Sequence, residues 1–260
     1  MNGKTALITG ASSGIGLALA RLFAQDWHDL VLVARSEAKL RELGDAFAKE
    51  HGTKTTVIPA DLSKPDAAQD VVDALRAQSI EIDALVNNAG YGLAGAFVET
   101  DLTTELEMIQ VNVVALTQLT KLLLPAMVAR RRGAIMNVAS TAAFQPGPLM
   151  AVYYATKAYV LSFSEAIADE LRDSGVTVTA LCPGPTETGF AAVADMTSSR
   201  LFNMSKPMTS AAVARIGYRA MKSGRRVVVA GMKNKLLAES VRVTPRRLVT
   251  TIVRKMQEKN

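Results

Sequence analysis

Histidine, cysteine and tryptophan are nearly missing from these 260 residues, which hold two His, one Cys and one Trp. His28 and His51 have neither a Cys nor a second His at ligand spacing, which argues against a zinc centre and against a Ser-His-Asp triad. No metal site is expected. One thiol, Cys182, excludes an internal disulfide framework and fits a reducing cytoplasm. No apolar run reaches the roughly 18 residues that suggest a membrane-spanning helix. Met1-Asn2-Gly3-Lys4-Thr5 runs straight into a strand-like segment and leaves no room for a signal peptide, so the expectation is a cytoplasmic protein. No Pro/Gly/Ser-rich linker divides the chain, and its length suits one large domain.

An excess of acid is also missing. The net charge is +6, but eleven Lys/Arg against two Asp/Glu lie from Met221 onward, which leaves the first 220 residues at −3. The basicity belongs to the C-terminal segment and says little about the main domain's ligand.

What is present is alternation. Hydrophobic residues make up 49% and charged residues 21%, the balance of a folded globular chain. Short β-branched runs at 4–9, 29–34, 54–59, 84–87, 134–138, 177–181 and 226–230 read as strands. Their centres are almost wholly apolar, as expected of parallel strands covered on both faces. Longer amphipathic runs between them predict helices over 15–26, 36–50, 65–78, 103–130, 153–173 and 209–223. The pattern is that of repeated βαβ units around a parallel sheet, an α/β fold. The helix over 103–130 is apolar almost all round, which suits either the central helix of the domain or packing against another subunit.

Chemistry-bearing residues gather at the predicted strand ends. Thr9-Gly10-Ala11-Ser12-Ser13-Gly14-Ile15-Gly16 follows the first strand and opens the first helix. Its glycines permit a tight turn and close approach to a pyrophosphate, which the free N–H groups of the helix N-terminus then hold. The second strand ends Ala34-Arg35-Ser36, with no acid where a ribose-binding carboxylate usually stands. A guanidinium there suits a 2′-phosphate, so Arg35 predicts NADP(H). Asp61, before Leu62, suits an adenine amino group or, with Ser63, the cap of the next helix. Asn87-Asn88-Ala89-Gly90 ends the fourth strand and permits close approach to a ligand in the crevice. Tyr153 and Lys157 stand four apart, one turn apart on a helix face. A Lys ammonium beside a cationic cofactor lowers a phenol's pKa and makes it a usable proton donor or acceptor.

Residues 9–16, 87–90, Ser140, Tyr153 with Lys157, and Pro183-Gly184 together resemble the short-chain dehydrogenase/reductase family. The resemblance runs from about residue 4 to about residue 231. It implies a Rossmann-like, doubly wound, seven-stranded parallel sheet with helices on both faces and the site at the strands' carboxyl ends. Tyr153 is then the general acid/base and the adjacent Tyr154 a bystander. Ser140 holds the substrate carbonyl, Lys157 grips the nicotinamide ribose and lowers the phenol's pKa, and Asn112 anchors a water leading to the lysine. The cofactor-binding set implied is Gly10, Ser12, Ser13, Gly14, Ile15, Gly16, Arg35, Asp61, Leu62, Asn88, Tyr153, Lys157, Pro183, Gly184 and Thr188. A homodimer or homotetramer is the expected assembly.

For the substrate, a small-molecule carbonyl or alcohol, three apolar walls are expected. One is a lid over 189–208 with Phe190, Met196, Leu201, Phe202, Met204 and Met208. The second is Phe144, Pro146, Pro148, Leu149 and Met150, and the third Tyr91, Leu93 and Phe97. Together they suggest a hydrophobic ketone or aldehyde. Residues 232–260 read as a basic amphipathic extension, with Thr244 capping a helix from Pro245. It suits weak peripheral contact with an anionic membrane, or packing on the domain or a partner subunit. No aromatic interleaving accompanies the charge, so nucleic acid is not expected. The alternative to an enzyme is a non-catalytic dinucleotide-binding sensor on the same fold, which need not keep a tuned phenol.

Overall fold

The computed structural model describes residues 3–190, 194 and 207–258. Its centre is a seven-stranded parallel sheet of β1 (Thr5–Thr9), β2 (Asp29–Ala34), β3 (Thr55–Pro59), β4 (Ala84–Asn87), β5 (Gly133–Val138), β6 (Val176–Cys182) and β9 (Val227–Val229). The order across the sheet is β3-β2-β1-β4-β5-β6-β9, and every neighbouring pair is parallel. All seven strands expected from the sequence are present, with ends displaced by one residue or fewer.

Side chains two apart along a strand share a face, and that rule divides the core. Ala6 and Ile8 of β1 and Leu30 and Leu32 of β2 point to one side. There they meet α1 (Gly14–Gln25), α2 (Glu37–His51) and α7 (Ser210–Lys222) through Leu19, Phe23, Leu40, Phe47, Val213 and Met221. Leu7, Val31 and Val33 point to the other side. They meet α3 (Ala67–Ala77), α5 (Leu116–Ala129) and α6 (Ala151–Glu170) through Val71, Leu75, Leu119, Met127 and Ala168. Two-sided burial is why these strands are apolar at consecutive positions. Truncating one of the fully enclosed leucines, such as Leu7, costs about 2–5 kcal/mol.

The order reverses between β1 and β4. After β1 the chain runs outward to β2 and β3, then returns to pair β4 with β1. The following loops part at that point, and a crevice opens at the strands' carboxyl ends.

The run expected over 103–130 is α4 (Leu102–Ile109) and α5 joined by a π-helical turn, Gln110–Ala115. Across Leu102–Ala129 the run is long and apolar enough to cross a membrane by length and composition, although no unbroken apolar stretch marks it. The scattered Thr, Gln and Asn residues interrupt the run without adding charge. Leu102, Leu106 and Val128, near the two ends of the run, are exposed, while Met108, Leu116, Leu119 and Met127 are buried. Beyond β9 the chain forms α8 (Met232–Ser240) and α9 (Arg246–Gln257). Thr244 does not cap α9; its hydroxyl donates to the Ser240 carbonyl, at 2.7 Å. A two-stranded pair, β7 (Thr186–Glu187) with β8 (Met208–Thr209), had no sequence signal.

Candidate active site

A cavity of about 730 Å³ occupies the crevice between β1 and β4 and continues over β5 and β6. At one end are Gly10, Ser12, Ser13, Gly14 and Ile15, at the start of α1. The positive φ values of Gly10 (64°) and Gly14 (56°) explain those two glycines, since side-chain-bearing residues are strained there. Gly16 does not line the cavity. A Cβ on it would lie 2.3 Å from the Gly10 carbonyl oxygen and 2.5 Å from Asn88 Nδ2, so it lets α1 close against the loop.

Asn88 lines the cavity, but its amide is spent on the loop. Nδ2 donates to the carbonyls of Thr9 at 2.9 Å and Gly10 at 3.2 Å. The Thr9 hydroxyl accepts from the main-chain N–H groups of Asn88 and Ala89. These bonds tie the end of β1 to the end of β4 and fix the loop's shape. Below them a buried chain of amides braces the sheet. Asn87 Nδ2 donates to Thr120 Oγ1 and Asn137 Oδ1, and Asn137 Nδ2 donates to Ser164 Oγ.

At this end of the cavity two helix N-termini open without a side-chain cap, α1 after Ser13 and α2 after Ser36, as α6 does after Met150 at the other end. By contrast, Asp101 caps α4 and Thr209 caps α7. Uncapped N–H groups facing a cavity are suited to an anion, and Arg35 beside the second adds a fixed positive charge. Asp61 and Leu62 line the same end. Asp61 Oδ1 accepts from the main-chain N–H and the hydroxyl of Ser63, at 3.1 and 2.9 Å. Burial pushes its carboxyl up, but those bonds and the charges of Lys64 and Arg35 outweigh burial and hold it below its ordinary value. The glycine cradle, the uncapped helix ends, Arg35 and the volume together fit a dinucleotide bearing phosphate groups.

The other end holds Ser140, Tyr153 and Lys157, with Pro183, Gly184 and Thr188 on the loop after β6. Ser140 ends β5, where its Oγ accepts from the Ala142 N–H at 3.1 Å. Tyr153 and Lys157 lie in the first turns of α6, and both are buried. Lys157 Nζ donates to the Val138 carbonyl at 2.9 Å and lies 5.8 Å from the Tyr153 ring centre. Burial lowers the lysine from 10.5 to about 8, with the Cys182 side chain opposing it slightly. Burial also raises the Tyr153 phenol well above its ordinary value; Ser140 pulls it back in part, and Tyr154 adds to the rise. The protein alone therefore does not lower the phenol's pKa. It keeps Tyr153 protonated beside a lysine whose charge is held at a cost.

Asn112 stands behind this group, in the π-helical turn. The turn gives it three partners: Oδ1 accepts from the Tyr91 N–H, and Nδ2 donates to the Tyr91 carbonyl and to Thr156 Oγ1. A side chain at Gly90 would come within 2.8 Å of Asn112 Oδ1 and 3.4 Å of Lys157 Nζ. Asn112 thus sits next to the lysine and pins the loop after β4 to α6.

Among the expected substrate walls, Phe190, Met150 and Tyr91 line the cavity, and Leu93 packs in the same cluster. Phe144 does not; it packs against Ala139, Leu161 and Val227 on another side. Phe97 is exposed and borders a separate apolar groove with Ile109, Val113, Val152 and Tyr159. Met196, Leu201, Phe202 and Met204 of the expected lid lie outside the described residues.

Several lining residues escaped the sequence reading, among them Thr104, Glu107, Tyr154 and Gln257. Tyr154, set aside for proton transfer, nonetheless lines the cavity. Gln257, from the last turn of α9, reaches the cavity and bonds the Tyr154 hydroxyl. The signals of Tyr154 and Gln257 were faint: an aromatic beside the expected tyrosine, and a Gln four residues after Val253 on the apolar stripe.

This chain resembles known proteins in sequence and fold. A family model described as short chain dehydrogenase matches residues 4–198. A short chain dehydrogenase of Pseudocercospora fijiensis is 38% identical over 75% of this chain and 63% of its own length. This chain thus spans less than two thirds of that relative. A ketoacyl reductase of Nostoc is 33% identical over 94% of this chain and 80% of its own. A short-chain dehydrogenase from Sphingobium yanoikuyae, solved with NADPH, superposes with a TM-score of 0.84 at 32% identity over 99% of both chains. One from Burkholderia phymatum, solved with NAD, gives 0.80 at 26% identity over 99% of this chain and 98% of its own.

Proposed function

This chain belongs to the short-chain dehydrogenase/reductase family, and from that premise we propose that it is an NADP(H)-dependent carbonyl reductase acting on a hydrophobic ketone or aldehyde. The observation that carries the reading is one cavity bordered by both the glycine loop and the Ser140–Tyr153–Lys157 group. A nicotinamide dinucleotide bound in this cavity would supply the hydride for a carbonyl carbon. Ser140 donates to the carbonyl oxygen and stabilises the negative charge that grows there. Tyr153, protonated at neutral pH because it is buried, gives that oxygen its proton. Lys157 holds the ribose hydroxyls and, as the nearest buried cation, stabilises the tyrosinate left behind. Asn112 positions the loop after β4 and the turn of α6 that carries Tyr153 and Lys157.

NADP(H) over NAD(H) rests on Arg35, whose guanidinium borders the cavity with no acidic residue at the end of β2 to repel a phosphate. The apolar wall of Tyr91, Met150 and Phe190 supports the hydrophobic substrate. For assembly, the exposed Leu102 and Leu106 of α4 and the groove of Phe97, Val113 and Tyr159 support a dimer or tetramer through this face. Val249 and Val253 of the tail are buried, so its remaining exposed face, with Leu236, Leu237, Val243, Leu248 and Ile252 among basic residues, supports no more than weak contact with an anionic membrane.

The test is NADPH oxidation across hydrophobic ketones and aldehydes. Turnover with several of them supports the reductase. Tight NADPH binding with no turnover of any carbonyl class would favour a dinucleotide-binding sensor.

A further inference from the structure

Val249, Val253 and Gln257 are spaced four apart, share one face of α9 and are all buried. The two valines pack in the cluster that contains Tyr153, Tyr154 and Met150. They bring Gln257, 7% exposed, to the substrate end of the cavity. Its Nε2 donates to the Tyr154 hydroxyl oxygen. Its Oε1 is buried and has no partner among the described residues. A buried amide oxygen left unpaired destabilises the fold, and polar groups so placed are usually matched by a ligand or water. The Tyr154 proton is likewise donated to no described residue, because the hydroxyl's one recorded bond is the one it accepts. Together the two side chains hold one O–H donor and one carbonyl acceptor, both without a partner among the described residues, in the wall of the cavity.

The position is also fixed. The Tyr154 ring lies over Gly147, where a Cβ would come within 2.1 Å of it. Its centre is 6.0 Å from that of Tyr153, one ring away from the reacting group.

We propose that Tyr154 and Gln257 form a polar recognition point for the part of the substrate beyond the carbonyl. Its partner is a hydroxyl, which accepts from Tyr154 and donates to Gln257. The proposal rests on the reductase reading, because it takes the carbonyl to be held at Ser140 and Tyr153. It makes the preferred substrate an apolar carbonyl compound with a distant hydroxyl, and it gives the C-terminal helix a role in specificity.

The experiment uses methyl ketones of graded chain length in matched pairs, with and without a terminal hydroxyl. Their dissociation constants are measured from the fluorescence of NADPH-loaded wild type, Gln257→Leu and Tyr154→Phe, with kcat and KM alongside. Wild type is expected to bind the hydroxylated member of at least one pair about tenfold more tightly. Both variants should lose that preference, while NADPH affinity stays within about threefold. Tyr154→Phe keeps the ring over Gly147, so it answers the question even if Gln257→Leu loosens α9. No preference in wild type, or a preference untouched in Tyr154→Phe, overturns the proposal. A binding preference without NADPH oxidation would support the recognition point and refute the reductase, so the two failures read differently.

Discussion

Replacing Lys157 by Met should make the ligand-free protein more stable and nearly inactive. Lys157 is 5% exposed, and burial lowers its ammonium from 10.5 to about 8. That drop corresponds to about 3 kcal/mol by which folding is disfavoured at pH 7, where the lysine is charged in both states. Methionine keeps the length and removes the charge. It also leaves the Val138 carbonyl without the 2.9 Å bond from Nζ, a loss of about 1 kcal/mol. The net gain is about 2 kcal/mol, or roughly 5 °C in Tm for a chain of this size. The sign with pH follows from the same values. Below about 8 the penalty is complete. Between about 8 and 10.5 the folded lysine releases its proton before the unfolded one does, and the penalty shrinks; above 10.5 it is gone. Thermal unfolding of both proteins at pH 7, 9 and 10.5 reads this directly, with turnover as the companion assay. A variant less stable than wild type at pH 7, or a gap constant across that range, would refute the reasoning.

Arg35→Ala should raise the Kd for NADPH by roughly 10- to 100-fold and leave that for NADH nearly unchanged, because only the 2′-phosphate loses a charged partner. Equal losses for both, measured by fluorescence titration, would remove the basis for cofactor choice. Gly16→Ala places a Cβ 2.3 Å from the Gly10 carbonyl oxygen, against backbone that cannot yield. It should weaken both dinucleotides by at least about tenfold and lower Tm, since loop and helix must part; unaltered binding by calorimetry would show that the close approach is dispensable.

The strand ends were legible because physics leaves few alternatives there. A parallel strand buried on both faces must be apolar throughout, as Leu30, Val31, Leu32 and Val33 are, and the polar residues following it must serve the crevice. The glycine loop and Arg35 were found that way, Tyr153 and Lys157 by their helical spacing, and Ser140 through the family resemblance; Gly10, Gly14, Arg35, Ser140, Tyr153 and Lys157 border one cavity. Other features depend on tertiary context. The π-helical turn that gives Asn112 its three partners has no sequence mark in so apolar a helix. An amphipathic stripe does not say what covers it, so Val249 and Val253 were compatible with lipid, a partner or the domain until the fold placed them beside Tyr153. Tyr154 was set aside on spacing to Lys157, a test for proton transfer that is blind to a substrate contact. The lysine was expected to lower the phenol's pKa beside a cationic cofactor; in the protein alone, burial raises the phenol and lowers the lysine.

The central claim is that the buried, protonated Tyr153 delivers the proton when a carbonyl is reduced. Its most direct test is the single-turnover rate of NADPH oxidation by a hydrophobic ketone, measured by stopped flow on wild type and Tyr153→Phe. The expected result is a fall of about 10²–10⁴ in rate, with the Kd for NADPH within about threefold of wild type. A variant that oxidises NADPH at the wild-type rate would contradict the claim.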